Sequence, residues 1–308
     1  MSRVLFLGSK RVGLRCLEAM LDAIPGAVTA AITLDDRDDV RTVHEEFLQL
    51  SDRRSVPMHV VSRRTEVPPL VQRYAPDLCV VVGWYWLIPP AMIESVPMGF
   101  VGIHFSLLPL YRGSSPLVWA LINGELETGV SLFSLVQDVD AGDIWGQRRI
   151  AIAPDEYVGT VLGRLEEEAV SLLAERLPGM LSGDVKPKPQ NHALATFCAV
   201  RRPEDGLIDW QWPADRIARF VRAQSRPYPG AFTYAGTEKV TIWRAHPGPG
   251  HGGAPGTIVS PDGIASVVCG DEKLLVIEEA QRGTRTARLD AVLEDSTRRL
   301  GEAGAPNA

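Results

Sequence analysis

From residue 3 to about residue 150, short β-branched apolar runs alternate with amphipathic stretches of helical period. The runs fall at 4–7, 28–34, 58–61, 78–82, 100–104 and 129–135, and the helical stretches at about 12–23, 41–51, 67–74 and 115–123. Near-continuous apolar runs suit strands covered on both faces, so the pattern predicts an α/β fold with a Rossmann-like, mostly parallel sheet between helices. Sheets of this kind bind ligands outside the carboxyl ends of their strands.

A helix is expected over 157–182, where Val161, Leu162, Leu165, Ala169, Leu172 and Leu173 recur near helical spacing. Ser182 to Thr196 contains Lys186-Pro187-Lys188-Pro189, is polar and lacks periodicity, so it reads as an extended linker. Beyond it, one helix at 213–223 precedes five short strands at 230–234, 240–245, 256–259, 264–269 and 274–281, separated by Gly/Pro turns. That spacing predicts a small OB-like β-barrel. The expected organisation is a first domain over 1–183, a linker over 184–205, a barrel over 206–300 and a frayed tail over 301–308.

The 45% hydrophobic content of 308 residues supplies cores for both domains. A net charge of -6 gives no basic stripe for a polyanion, so nucleic acid is not an expected partner. Cys16, Cys79, Cys198 and Cys269 form no Cys-x-x-Cys pair, which predicts neither a zinc cluster nor a disulfide framework and fits a reducing cytoplasm. The apolar run at the N-terminus is too short for a secretory signal or a membrane span, so neither is expected.

His104 stands at the end of the 100–104 run, before the turn Leu108-Pro109-Leu110-Tyr111-Arg112-Gly113. A lone strand-end His is usually a structural residue. Here a second, acidic glycine-bearing loop, Asp138-Val139-Asp140-Ala141-Gly142-Asp143, follows the next run, and an imidazole beside a carboxylate can move protons in a cleft. The acidic loop lacks the sixth-position glycine and distal Glu of an EF-hand, so no metal is expected. The turn Gly8-Ser9-Lys10-Arg11-Val12-Gly13 lacks the third glycine of a dinucleotide fingerprint and the ending of a P-loop, and reads as a structural turn. Trp84-Tyr85-Trp86 can be a stacking platform or a cap on the core, and Asp35-Asp36-Arg37-Asp38-Asp39 reads as a solvated loop.

Three ordered motifs span about forty residues: Ile103-His104-Phe105-Ser106-Leu107-Leu108-Pro109 with Tyr111-Arg112-Gly113, then Asn123-Gly124-Glu125-Leu126-Glu127-Thr128-Gly129-Val130, then Asp140-Ala141-Gly142-Asp143. Together they resemble the folate-dependent formyltransferase family of tRNA and sugar-nucleotide N-formyltransferases. Arg201 to Trp210, and Arg222-Ala223 through Tyr228-Pro229-Gly230-Ala231-Phe232, resemble its carboxy-terminal barrel. The members that formylate UDP-linked aminoarabinose look nearest.

The resemblance implies a donor, N10-formyltetrahydrofolate, with its pterin held by Trp86, Leu87 and Ile88 and by Asp138, Val139 and Asp140. It implies attack of an acceptor amine on the formyl carbon, with His104 donating to the developing oxyanion and helping to shuttle the proton, and Asp140 orienting the imidazole. Ser106, Tyr111, Arg112 and Gly113 are then expected on the acceptor side. Gly102 stands where the family has an Asn that holds the formyl oxygen, and loss of one such donor costs about 100- to 1,000-fold in rate.

The leading expectation is formyl transfer to a small-molecule amine, an amino sugar nucleotide first and an amino-acid-like metabolite next. One alternative is a hydroxymethyl- or methylene-level transfer from 5,10-methylenetetrahydrofolate, which has no carbonyl for that Asn to polarise. Another is a relative that binds folate or a metabolite without catalysis. Leu110 replaces a basic residue common in the family turn, and residues 201–308 carry fourteen Lys/Arg against fourteen Asp/Glu, so initiator tRNA is not the expected acceptor.

Overall fold

The computed structural model describes residues 2–293 and 298–301. Its elements run β1 (Val4–Gly8), α1 (Lys10–Ala23), β2 (Val28–Leu34), α2 (His44–Arg54), β3 (Met58–Val61), α3 (Val67–Tyr74), β4 (Leu78–Val82), α4 (Pro90–Glu94) and β5 (Phe100–His104). There follow β6 (Arg112–Gly113), α5 (Pro116–Asn123), β7 (Glu127–Ser134), β8 (Ile144–Ala151), α6 (Val158–Ser182) and β9 (Phe197–Cys198). The remainder comprises α7 (Ala214–Gln224), β10 (Ala231–Ala235), β11 (Glu238–Gly250), β12 (Ile258–Val259), β13 (Ser266–Val268), β14 (Lys273–Arg282), β15 (Arg285–Ala287) and α8 (Leu289–Val292).

These elements form two compact units. The first holds the chain up to Pro116, Glu127–Ala151 and Gly163–Cys198; the second holds Leu117–Leu126, Ile152–Leu162 and the chain from Ala199 onward. The first is built on a seven-stranded sheet of order β3-β2-β1-β4-β5-β7-β8. The five strands from β3 to β5 are parallel, whereas β7 pairs antiparallel with both β5 and β8. β1 and β4 are buried at every position, as strands covered on both faces must be.

β8 has no counterpart among the expected strands. Its sequence, Ile-Trp-Gly-Gln-Arg-Arg-Ile-Ala, is broken by three consecutive polar residues; it is the last strand of the sheet, and charged residues there discourage pairing with another chain. In the same unit α6 buries Leu165, Ala169, Leu172, Leu173 and Leu177, and Leu172 reaches the surface left open by Gly146 on β8. Residues 184–198, expected as part of a linker, group with this unit: Lys188 exchanges two 2.8 Å backbone hydrogen bonds with Ile144, and β9 pairs with β6.

Phe100 opens β5, the strand that ends in His104, and is fully enclosed. Phe100→Ala is expected to lower the unfolding free energy by about 3–5 kcal/mol, read by urea denaturation, because the site cannot collapse around the missing ring.

The second unit is an antiparallel half-barrel with strand order β10-β11-β14-β13-β12, and β15 on β14. α7 fills its interior with Ala214, Ile217, Ala218 and Val221, packed with Ile242, Val267, Leu275 and Ile277. Two isolated bridges, Tyr234 to Gly301 and Thr257 to Arg299, tie the end of the described chain to both edge regions of the sheet. Gly301, expected at the start of a frayed tail, is therefore paired through both its N–H and its C=O with Tyr234. The rest of the expected tail, from residue 302, lies outside the described residues.

Candidate active site

His104 is carried by β5 to the carboxyl edge of the parallel strands and is 8% exposed. Its Nε2 lies 2.8 Å from the Tyr111 carbonyl, which can only accept, so this nitrogen bears the proton. In the neutral ring Nδ1 then keeps its lone pair, and it sits 3.7 Å from Asp140 Oδ2. The carboxylate is fixed in turn by the Gly113 N–H, which donates to Oδ2 at 2.7 Å. At Gly113, φ is +104° and an added Cβ would lie 2.6 Å from the Cys198 carbonyl oxygen, so only glycine lets the backbone reach Asp140 this way.

The turn between His104 and Gly113 is held by its own hydroxyls and by a distant segment. Ser106 Oγ donates to the Leu110 carbonyl at 2.6 Å, Ser131 Oγ donates to the Ser106 carbonyl at 2.7 Å, and the Tyr111 N–H donates to Thr196 Oγ1 at 2.8 Å. Ser106 is thus a buried turn residue with its hydroxyl already committed. Arg112 is buried too, its guanidinium bonded to Gln190 and His192.

Beside the His104 and Asp140 pair opens a cavity of about 560 Å³. Its lining is mainly apolar and includes Trp84, Trp86, Ile88, Met92, Leu135 and Val139. Trp84 and Trp86 meet edge to face, with ring centroids 5.4 Å apart, and the buried Trp84 Nε1 has no hydrogen-bond partner among the described residues. Of the expected pterin-side residues, Trp86, Leu87, Ile88, Val139 and Asp140 line this cavity, while Asp138 does not. Of the expected acceptor-side residues only Gly113 does. The Trp84-Tyr85-Trp86 run divides between the two readings open in the sequence, because Trp84 and Trp86 face the cavity and also pack against the core while Tyr85 is exposed.

Gly102 lines the cavity one turn of the strand from His104. A Cβ built on it would lie 2.8 Å from Leu135 Cδ1, so the end of the leucine occupies the place of the missing side chain and makes this wall apolar. Cys198 is the nearest thiol, and burial and then the Asp140 charge push it up to about 11, leaving it protonated at neutral pH. No cluster of three or more His, Cys, Asp or Glu side chains suited to a metal occurs among the described residues.

The turn after β1 is closed by charge pairing. Lys10 Nζ donates to Asp36 Oδ2 at 2.5 Å and to Asp39 Oδ2 at 2.8 Å, so the ammonium is occupied within the chain. The 35–39 run is accordingly more than a solvated loop: Asp36 is buried, and Arg41 followed by Lys10 holds the Asp39 carboxyl well below the usual carboxylate range. Sequence reasoning also missed Gln190, Thr196 and Arg64, the last lining the cavity from the end of β3. The first two lie in the Pro-rich segment, which has no periodicity to mark them.

Among the described residues no helix is long and apolar enough to cross a membrane. Residues 41–177 match the formyl transferase family and residues 201–294 match its C-terminal domain. A methionyl-tRNA formyltransferase of Myxococcus xanthus (strain DK1622) is 34% identical over 294 residues, 93% of this chain and 92% of that protein. HypX from Aquifex aeolicus, solved with tetrahydrofolic acid, superposes with a TM-score of 0.66 at 20% identity, over 96% of this chain and 47% of HypX, so this chain spans about half its length. WlaRD, a sugar 3N-formyl transferase solved with dTDP and 5-N-formyl-THF, gives 0.65 at 15% identity, over 92% of this chain and 99% of WlaRD. The two structural likenesses are likenesses of fold. The sequence matches extend through both units and include the strand that carries His104 and the loop that carries Asp140, and on them the chain belongs to the formyl transferase family and is a transferase.

Proposed function

We propose that the protein moves a formyl group from N10-formyltetrahydrofolate to the amine of a small molecule. The observation that carries this reading is the His104 and Asp140 pair set into the wall of a large, mainly apolar cavity. The cavity fits the donor: aromatic faces suit a pterin, and the buried Trp84 N–H, without a partner among the described residues, marks a polar group that a heterocycle acceptor could satisfy. Solved relatives hold tetrahydrofolic acid and 5-N-formyl-THF, which supports the same class of ligand here.

The donor supplies an activated formyl carbon. His104 Nδ1 is placed to take a proton from the attacking amine, and Asp140 stabilises the resulting imidazolium, whose Nε2–H stays bonded to the Tyr111 carbonyl. For the acceptor, the 34%-identical relative is a methionyl-tRNA formyltransferase, but the balance of fourteen basic and fourteen acidic residues over 201–308 argues against a phosphate track and supports a small molecule here. Calorimetry with 5-formyltetrahydrofolate tests the donor site, and absence of binding would refute it.

Arg64 is the one Lys or Arg lining the cavity and is exposed, and its guanidinium has no hydrogen-bond or ion-pair partner among the described residues. It follows β3, four positions from β5 in the sheet, a span of about 19 Å at the usual strand spacing. That placement suits the glutamate carboxylates of a folate whose reacting nitrogen is at His104. Arg64→Ala is expected to raise the donor KM by roughly three- to tenfold with kcat unchanged, the scale of one exposed charged hydrogen bond.

A second reading is favoured by Leu135. With its methyl group in the slot beside Gly102, the wall near His104 offers no side-chain amide to a formyl oxygen. A methylene-level donor needs none. Transfer from 5,10-methylenetetrahydrofolate would consume one water, release tetrahydrofolate and leave the acceptor as its N-hydroxymethyl derivative, with no net oxidation or reduction.

A further inference from the structure

We propose that Gln190 is a positioning residue that holds the Asp140 loop in its reactive conformation; the proposal rests on the transfer function stated above. Gln190 is 6% exposed and lies fifty residues beyond Asp140 in sequence. The paired backbones of Lys188 and Ile144 bring it beneath the loop between β7 and β8. Its two amide ends have separate duties. Oε1 accepts from Arg112 Nε at 3.2 Å and Nη2 at 2.6 Å, while Nε2 donates to the carbonyls of Asp140 at 2.9 Å and Gly142 at 2.7 Å.

This orientation of the amide is forced by chemistry, since a guanidinium only donates and a carbonyl only accepts. Asp140 has φ +53°, a left-handed conformation that aspartate tolerates better than most side chains but still adopts at some cost, so contacts to the loop help to hold it. Among the described residues, Gln190 supplies the only hydrogen bonds to the carbonyls of residues 140 and 142. The loop so fixed sets the 3.7 Å spacing from Asp140 Oδ2 to His104 Nδ1, and the same amide anchors Arg112, whose neighbour Tyr111 orients the other face of the imidazole.

The test compares Gln190→Ala with Gln190→Glu in the full chain. Glutamate keeps an oxygen for Arg112 and loses both N–H donors to the loop, so a role confined to anchoring Arg112 is rescued by it and a role in positioning Asp140 is not. With N10-formyltetrahydrofolate and hydroxylamine as acceptor, both variants are expected to lose about ten- to a hundredfold in kcat, the scale of a misplacement near 1 Å. Hydrogen exchange over residues 138–143 is expected to accelerate in both. Wild-type kcat in Gln190→Glu, or unchanged exchange over 138–143 in that variant, would overturn the proposal. If the wild-type protein transfers no one-carbon unit, the functional reading fails by itself, and the exchange measurement still decides what Gln190 does.

Discussion

His104→Ala is expected to lower kcat by roughly two to four orders of magnitude, the usual range for a positioned acid or base, while affinity for 5-formyltetrahydrofolate stays within about threefold of wild type. The reason is local. Nε2 is committed to the Tyr111 carbonyl, so Nδ1 is the atom of the ring left to receive a proton, and its neighbour at 3.7 Å is the Asp140 carboxylate. Cys198 cannot substitute, because its thiol stays protonated at neutral pH. Asp140→Asn keeps the shape and removes the charge, and a smaller loss of kcat is expected from it. Steady-state kinetics alongside calorimetry separates these effects; full turnover in His104→Ala would remove the imidazole from the mechanism.

The second large effect concerns the wall beside Gly102. Gly102→Asn combined with Leu135→Ala is expected to raise the rate of formyl transfer by up to about a hundredfold, because one oxyanion donor is worth roughly 2.7–4 kcal/mol elsewhere. The single substitution Gly102→Asn is expected to gain less, since the new Cβ would start 2.8 Å from Leu135 Cδ1 and the leucine must move first. The cross-check is the ratio of formyl to hydroxymethyl product with the two labelled donors. An unchanged formyl rate in the double variant would mean that the oxygen is already held by another group.

The parts of this fold that could be read from the sequence are those where one physical demand dominates. Strands β1, β2, β4 and β5 lie inside the sheet and are almost wholly apolar, broken only by Thr29 and Thr33 in β2 and by His104 at the end of β5, so each shows as a near-continuous run. β8, at the sheet edge, carries Gln147, Arg148 and Arg149 and gives no such signal. β11 continues past the expected end at Ala245 through Pro247 and Pro249, a stretch where its pairing with β14 is irregular, which is where strand propensity fails as a guide.

The same division holds in the site. His104 and Asp140 stand out as candidates because each sits at a marked position, a strand end and a glycine-bearing loop. Gln190 and Thr196 could not, because their roles come from hydrogen bonds to residues fifty and eighty-five positions away, made from a segment whose prolines give it the look of a linker. The Lys10 clamp was hidden for a related reason: its two carboxylates lie twenty-six and twenty-nine residues downstream, in a charge run that solvent alone would explain.

The most direct test of the central claim is a label-transfer experiment. The protein is incubated with a pool of small amines, with charged initiator tRNA and with carbon-13-labelled folates at the formyl and methylene levels, and product masses are read. Formyl transfer to a small amine predicts that label from N10-formyltetrahydrofolate appears as added CO on one amine of the pool. Label arriving only as hydroxymethyl from the methylene donor, or on charged initiator tRNA and on none of the amines, would contradict it.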